Sequence, residues 1–83
     1  MEIPKRNEFR INDDMASLDI NDYAFPQYRE FVEHLHNKCK VIEDKAMYEL
    51  CEINGIQFKL VYSGFIGIML NTDMLDVFLE GVA

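Results

Sequence analysis

The clearest pattern of hydrophobic and polar positions runs through residues 45–70 and predicts three β-strands. Apolar and polar side chains alternate over residues 56–62, which is the period of a half-buried strand. The dipeptide Asn54-Gly55 is a strong signal for a two-residue hairpin, because a type I′ turn needs positive φ at both central positions. Such a turn pairs Ile53 with Ile56 and fixes the register of the first two strands.

Ser63-Gly64 predicts a second turn, which leads into the third strand. If this turn also has two residues, Leu60 faces Gly67 and Phe58 faces Met69. The sheet then carries apolar residues on both faces, and the second face holds Tyr48, Leu50, Val61, Ile66, Ile68 and Leu70. The sequence leaves two possibilities open: another part of the chain covers this face, or the face is an interface.

Two amphipathic helices are predicted to flank the strands. Pro26 suits the first position of a helix over residues 26–40, in which apolar side chains recur at helical spacing. In a second, short helix, Asn71 or Thr72 supplies the N-cap and Asp73 lies in the first turn. Gly81 is expected to end this helix.

Residues 1–22 have the least regular pattern, and an edge strand, a wrapping arm and partial disorder all remain open for them. We therefore predict one small α+β domain over residues 1–83. It consists of this N-terminal arm or edge strand and, over residues 23–83, a helix, a three-stranded antiparallel meander and a short C-terminal helix.

Charge and cysteine content narrow the class of protein. Fifteen acids against eight lysines and arginines give a net charge of −7, which disfavours direct binding to nucleic acid and favours a basic partner. The first residues lack the apolar stretch of a signal peptide, and the longest apolar run is too short to cross a membrane. Two cysteines without C-x-x-C spacing indicate a reduced, cytoplasmic protein.

The sequence contains no catalytic, metal or nucleotide-binding motif, so we predict a non-enzymatic protein without a cofactor. Glu49 breaks the apolar pattern, which indicates a functional acid, a strand that starts later, a bulge or an edge position. His34 and His36 point about 200° apart on a helix, so they do not chelate one metal ion.

The predicted function is protein binding. Immunity proteins, antitoxins and phage-encoded inhibitors are similarly short and acidic, so we expect inhibition of a larger basic protein, such as a toxin, a nuclease or another nucleic-acid enzyme, by occlusion of its site. The alternative is a homodimeric structural or accessory subunit that acts through the apolar sheet face. The candidate partner-binding residues are Asp13, Asp14, Asp19, Asp22, Glu30, Glu33, Tyr48, Ile66, Ile68 and Leu70.

Overall fold

A computed structural model describes residues 3–20, 28–62 and 67–83, and in these ranges six strands form one antiparallel sheet. The strands are β1 (Arg10–Asn12), β2 (Met15–Asp19), β3 (Lys40–Asp44), β4 (Tyr48–Ile53), β5 (Ile56–Val61) and β6 (Gly67–Asn71), and the helices are α1 (Tyr28–Lys38) and α2 (Leu75–Val82). The strand order is β1-β2-β6-β5-β4-β3. The prediction of a three-stranded meander is therefore wrong, although the meander β4-β5-β6 forms the middle of the larger sheet.

Residues 10–19 form a hairpin that belongs to the sheet. Asp13 adopts a positive φ of 56° in the turn between β1 and β2, and β2 pairs along its whole length with β6. Ala16 and Leu18 of β2 are buried in the core together with Ile20. Of the possibilities left open for residues 1–22, the edge strand is found in β1. The sequence did not predict β2 as an inner strand, because β2 is short and pairs with a strand about fifty residues away in the chain.

Strand β3 begins almost directly after α1, at a position that the sequence predicted to be the end of the helix. α1 ends at Lys38, so Lys40 lies in a strand and not in the last helical turn. All five residues of β3 are exposed, and a bulge interrupts its pairing with β4 between Val41 and Glu43. An exposed and irregular edge strand has no alternation of apolar and polar residues to reveal it.

The predicted hairpin between β4 and β5 is confirmed. Asn54 and Gly55 have φ angles of 52° and 75°, as a type I′ turn requires, and Ile53 lies opposite Ile56.

The predicted register between β5 and β6 is wrong by one residue. Leu60 pairs with Ile68 instead of Gly67. The predicted Ser63-Gly64 turn itself lies outside the described residues. A shift of one residue moves every side chain of a strand to the opposite face. Ile68 and Leu70 are consequently core residues, 0% and 3% exposed, and their predicted place on a second, open face is corrected.

The core lies between one face of the sheet and the two helices. Phe78 of α2 sits at its centre, in edge contact with Phe58 at 4.9 Å and Phe9 at 6.5 Å between ring centroids. Phe31 and Leu35 bring α1 to the same cluster. Burial of each such side chain contributes about 1.5–3 kcal/mol, so this layer is the main source of stability.

The end of α2 packs closely against the β4–β5 hairpin. Asn71 caps the short 3-10 turn Thr72–Met74 by accepting a hydrogen bond from the backbone N–H of Asp73 at 2.8 Å. The sequence predicted Asn71 or Thr72 as the N-cap of the helix itself, but α2 begins later, after Met74. The helix does not stop at Gly81 but continues to Val82. A β-carbon at Gly81 would lie only 2.9 Å from Nδ2 of Asn54, so glycine here permits a close approach.

Candidate functional site

One face of the sheet is not covered by α1 or α2, and we call it the open face. Successive side chains of a strand point to opposite sides, so the residues between the core positions all lie here. The open face comprises Arg10, Asn12, Met15, Ser17, Asp19, Lys40, Glu43, Tyr48, Leu50, Glu52, Gln57, Lys59, Val61, Gly67, Met69 and Asn71.

The centre of the open face is apolar. Met15, Leu50 and Met69 border a shallow depression of about 250 Å³, together with the more polar Gln57 and Lys59. Met15 is 40% exposed, which is high for a large apolar side chain in a strand. Methionine packs against many shapes, because its unbranched side chain has three rotatable bonds.

Lys59 is the charged residue at the centre of this apolar surface. Its Nζ atom lies 4.9 Å from the centroid of the Tyr48 ring, which attracts the ammonium group through a cation–π interaction. This contact leaves the methylene groups of Lys59 to extend the apolar surface, as long cationic side chains commonly do.

The charges on the open face sum to zero. The open face carries three cations, Arg10, Lys40 and Lys59, and three acids, Asp19, Glu43 and Glu52. The whole chain has a net charge of −7, so the acidic surplus lies entirely elsewhere.

The register places the open-face residues in transverse rows. One row runs from edge to edge through Arg10, Ser17, Met69, Lys59, Leu50 and Glu43. A second row contains Asp19, Gly67, Val61 and Tyr48. The long row therefore begins with a cation at one edge of the sheet and ends with an acid at the other.

The predicted partner-binding residues do not form one surface. Asp19 and Tyr48 share the open face, whereas the helical residues Glu30 and Glu33 belong to α1, on the other side of the sheet. Asp22 and Ile66 lie outside the described residues.

Sequence reasoning missed Met15, Met69 and Arg10 as surface residues of the same face. The alternation of Met15, Ser17 and Asp19 with the apolar Ala16 and Leu18 is the signal that could have revealed β2.

Asp13 and Asp14 lie instead at one end of the molecule, beside the start of α2. The backbone N–H of Thr72 donates to the carbonyl oxygen of Asp14 at 2.8 Å, which brings the β1–β2 turn next to Asp73. We call Asp13, Asp14 and Asp73 the acidic end. Nearby on α2, Asp76 forms an exposed salt bridge with Arg6 at 2.9 Å.

Glu49 lies opposite Leu60, as predicted, and its carboxylate is satisfied by two neighbours. The Tyr62 hydroxyl donates to Oε1 at 2.7 Å, and Nε2 of His36 donates to the same oxygen at 2.9 Å. Burial alone would raise the pKa of Glu49, whose side chain is 15% exposed, but these hydrogen bonds and the nearby His36 lower it below its usual value.

None of the structural explanations predicted for Glu49 applies. Strand β4, which contains Glu49, begins one residue before it, at Tyr48, and β4 is an inner strand of the sheet. The bulge is in the neighbouring strand, β3. Its hydrogen-bond partners make the position tolerable for a carboxylate, so the cluster of His36, Glu49 and Tyr62 has a structural explanation.

The remaining candidates for chemistry have separate structural partners. Nε2 of His34 donates to the carbonyl oxygen of Val82 at 2.5 Å, while His36 contacts β4, so the two histidines serve different elements. Burial raises the pKa of the Cys39 thiol to about 11 and that of Cys51 to about 12, with smaller effects of Glu49 and Cys39 on Cys51.

Within the described ranges, the side chains form no group of His, Cys, Asp and Glu suited to hold a metal ion. In the same residues, no helix has both the length and the apolar character that a membrane-spanning segment requires.

Comparison with known proteins identifies no relative. No protein family matches the chain, and no curated protein or solved structure matches it either. The physical properties of the open face and of the acidic end are therefore the basis for any functional proposal.

Proposed function

We propose that the protein is a non-enzymatic binding protein and that the open face is its interface. The observation that supports this most strongly is a surface with an apolar cluster near its centre and no net charge, on a chain of net charge −7. Charged residues are depleted from the centres of protein interfaces, and large apolar side chains with methionine are enriched there.

The open face carries more large apolar side chains than a sheet face in contact with water needs. Antiparallel sheets commonly expose one face to water, and that face then alternates polar residues with the buried ones. Here Leu50, Val61 and Met69 occupy adjacent inner strands on the exposed side. A contiguous apolar patch of this kind marks an interaction site more often than chance.

A charged substitution in the centre of the open face tests the proposal. Met69→Arg should abolish association, because an arginine there adds an unpaired charge to the apolar centre. Val77→Arg is the matched control, since Val77 is an exposed apolar residue of α2, on the opposite layer. Both are compared with the wild type in self-association of the purified chain and in capture of proteins from native cell extract.

The result that supports the proposal is an association of the wild type that survives Val77→Arg and is lost with Met69→Arg. If every association of the wild type survives Met69→Arg, the open face is not the interface and the proposal fails.

A second candidate is inhibition of a larger basic protein through the acidic end, and the grouping of Asp13, Asp14 and Asp73 supports it. These acids would speed the encounter with a basic partner and pair with cations around its site, which the bound protein would then occlude. Replacing all three with asparagine should slow association with such a partner and flatten its salt dependence. An unchanged association rate would exclude the acidic end as the docking site.

A further inference from the structure

We infer that the open face binds a second copy of this chain, face to face, as a symmetric dimer. This inference rests on the proposed function of the open face and names its partner. It follows from the order of charges along the transverse rows and from the neutrality of the face.

Two sheets that pack face to face keep their strand directions within about 30° of each other. A two-fold axis that runs between them, parallel to the strands and midway between β5 and β6, brings β1 of one copy over β3 of the other. It also brings β2 over β4 and β6 over β5. Every transverse row then lies over the same row of the second copy, with the order of its residues reversed from edge to edge.

This reversal pairs opposite charges at the edges of the long row. Arg10 lies over Glu43 of the second copy, and Glu43 lies over its Arg10. Each dimer therefore gains two equivalent ion pairs at its rim. In the middle of the row, Met69 lies over the methylene groups of Lys59, and Ser17 lies over Leu50.

The second row provides a counter-charge for Lys59. Asp19 comes to lie over Tyr48 of the other copy, and that ring carries the Lys59 ammonium group at 4.9 Å. An ammonium group at the centre of an interface is costly unless an opposite charge meets it. The symmetric arrangement brings a carboxylate to each of the two lysines.

The other orientation of a face-to-face dimer is unfavourable. An axis across the strands lays each strand over itself, and where this axis runs along the long row it lays that row over itself in the same order. Arg10 then meets Arg10, Lys59 meets Lys59 and Glu43 meets Glu43, so every charge of the row faces its like. The charge order thus favours the axis parallel to the strands over an axis along the long row.

The size of the face requires contact from edge to edge. Five strand spacings of about 4.8 Å make it roughly 24 Å wide, and strands of typical length make it roughly 17–20 Å long. This footprint is roughly 400–480 Å² before side-chain relief, compared with about 800 Å² of accessible surface per partner in a standard interface. Arg10 and Glu43, at the two edges, therefore belong to the contact.

The first measurement is the oligomeric state of the purified full chain by sedimentation equilibrium. The wild type should be a dimer that dissociates on dilution. Val77→Arg should dimerise equally well, and Met69→Arg should be a monomer with the circular dichroism spectrum of the wild type, because Met69 is outside the core.

The decisive measurement uses the rim charges, which leave the folded core untouched. Arg10→Glu alone and Glu43→Arg alone should each weaken dimerisation by about tenfold or more, since each turns two attractive pairs into repulsive ones. Mixing the two variants should restore association as a heterodimer, because Glu at position 10 then faces Arg at position 43 and the native Arg10 faces the native Glu43. The double variant should dimerise like the wild type.

Three results would overturn the inference. A wild type that stays monomeric at all concentrations excludes the second copy as partner, while the proposed function survives if Met69→Arg abolishes capture of another protein. A dimer that Val77→Arg breaks and Met69→Arg does not uses the helical layer. Equal behaviour of the mixture and the separate charge variants excludes the proposed axis.

Discussion

At the scale of single residues, Glu49 shows how a carboxylate is accommodated on the core face of a sheet. Its Oε1 atom accepts from Tyr62 and His36, so the ionised form is favoured even though burial opposes it. The sequence predicted that Glu49 points opposite Leu60, but not its partners. Tyr62 lies beyond the end of β5 and His36 on a helix, and neither position is related to Glu49 by a local repeat.

Replacement of Glu49 with glutamine should lower the free energy of unfolding by about 1 kcal/mol at neutral pH, because hydrogen bonds to the charged acceptor are lost. The folded-state pKa of Glu49 is lower than usual, so its contribution is complete above the ordinary carboxyl range and is lost as the pH falls through the folded-state pKa. Urea denaturation from neutral to acidic pH should therefore show the two proteins converging in acid.

Two further variants control this measurement. Glu80→Gln, at an exposed position of α2, removes the same charge and should have little effect on stability. Tyr62→Phe keeps the ring and removes only the hydroxyl donor, so it should raise the pKa of Glu49. A constant difference between the wild type and Glu49→Gln at all pH values would contradict this account of the cluster.

Both cysteines should resist alkylation in the folded protein. Their raised pKa values leave little thiolate near pH 8, and Cys51 is also almost completely buried. Iodoacetamide followed by mass spectrometry should show slow labelling of Cys39, still slower labelling of Cys51, and rapid labelling of both in urea. Fast modification of native Cys51 would show that β4 is exposed to solvent.

At the scale of elements, the sequence predicted those features that local chemistry determines. Asn54-Gly55 specifies its own turn, and the alternation of β5 specifies which of its side chains are buried. The pairing of β2 with β6 and the register of β6 depend on residues that are distant in the chain, to which no local pattern corresponds.

The observed register makes opposite predictions for two adjacent residues of β6. Ile68→Ser should destabilise the protein by about 3–4 kcal/mol, because it places a hydroxyl group and a cavity in the core. Met69→Ser, on the open face, should change stability by less than about 1 kcal/mol. Urea denaturation at low protein concentration measures both values. If Met69→Ser destabilises the protein more than Ile68→Ser, the register predicted from a two-residue turn is correct and the observed register is wrong.

At the scale of the whole molecule, the net charge of −7 was evident from composition, but its distribution was not. The acids predicted to act together are divided by the fold between the acidic end, the open face and α1. Of the predicted apolar site residues, Tyr48 lies on the open face while Ile68 and Leu70 lie in the core. The one-residue error in register therefore misplaced two of the ten candidate residues.

Moderate salt should stabilise the folded chain. Raising the ionic strength from about 0.01 M to about 0.1 M shortens the screening length from about 30 Å to about 10 Å, which weakens repulsion among the surplus acids. A gain of about 1 kcal/mol would raise the melting temperature by roughly 4–8 °C for a domain of this size. Calorimetry at the two salt concentrations measures this gain.

The combined variant Asp13→Asn and Glu33→Gln provides the control for the salt effect. It removes two exposed negative charges, one of them at a turn position whose positive φ also suits asparagine. Its melting temperature should respond less to salt than that of the wild type. An equal response would assign the salt effect to something other than charge repulsion.

The bulge in β3 hinders aggregation through this edge of the sheet. An exposed edge strand is a template on which other chains add as further strands, and growth of that kind leads to fibrils. The bulge between Val41 and Glu43 distorts that template, and Lys40 and Asp44 place charges at both ends of the strand. The opposite edge, β1, is only three residues long. Val41 and Ile42 can therefore be exposed at this edge without other chains adding to it one after another.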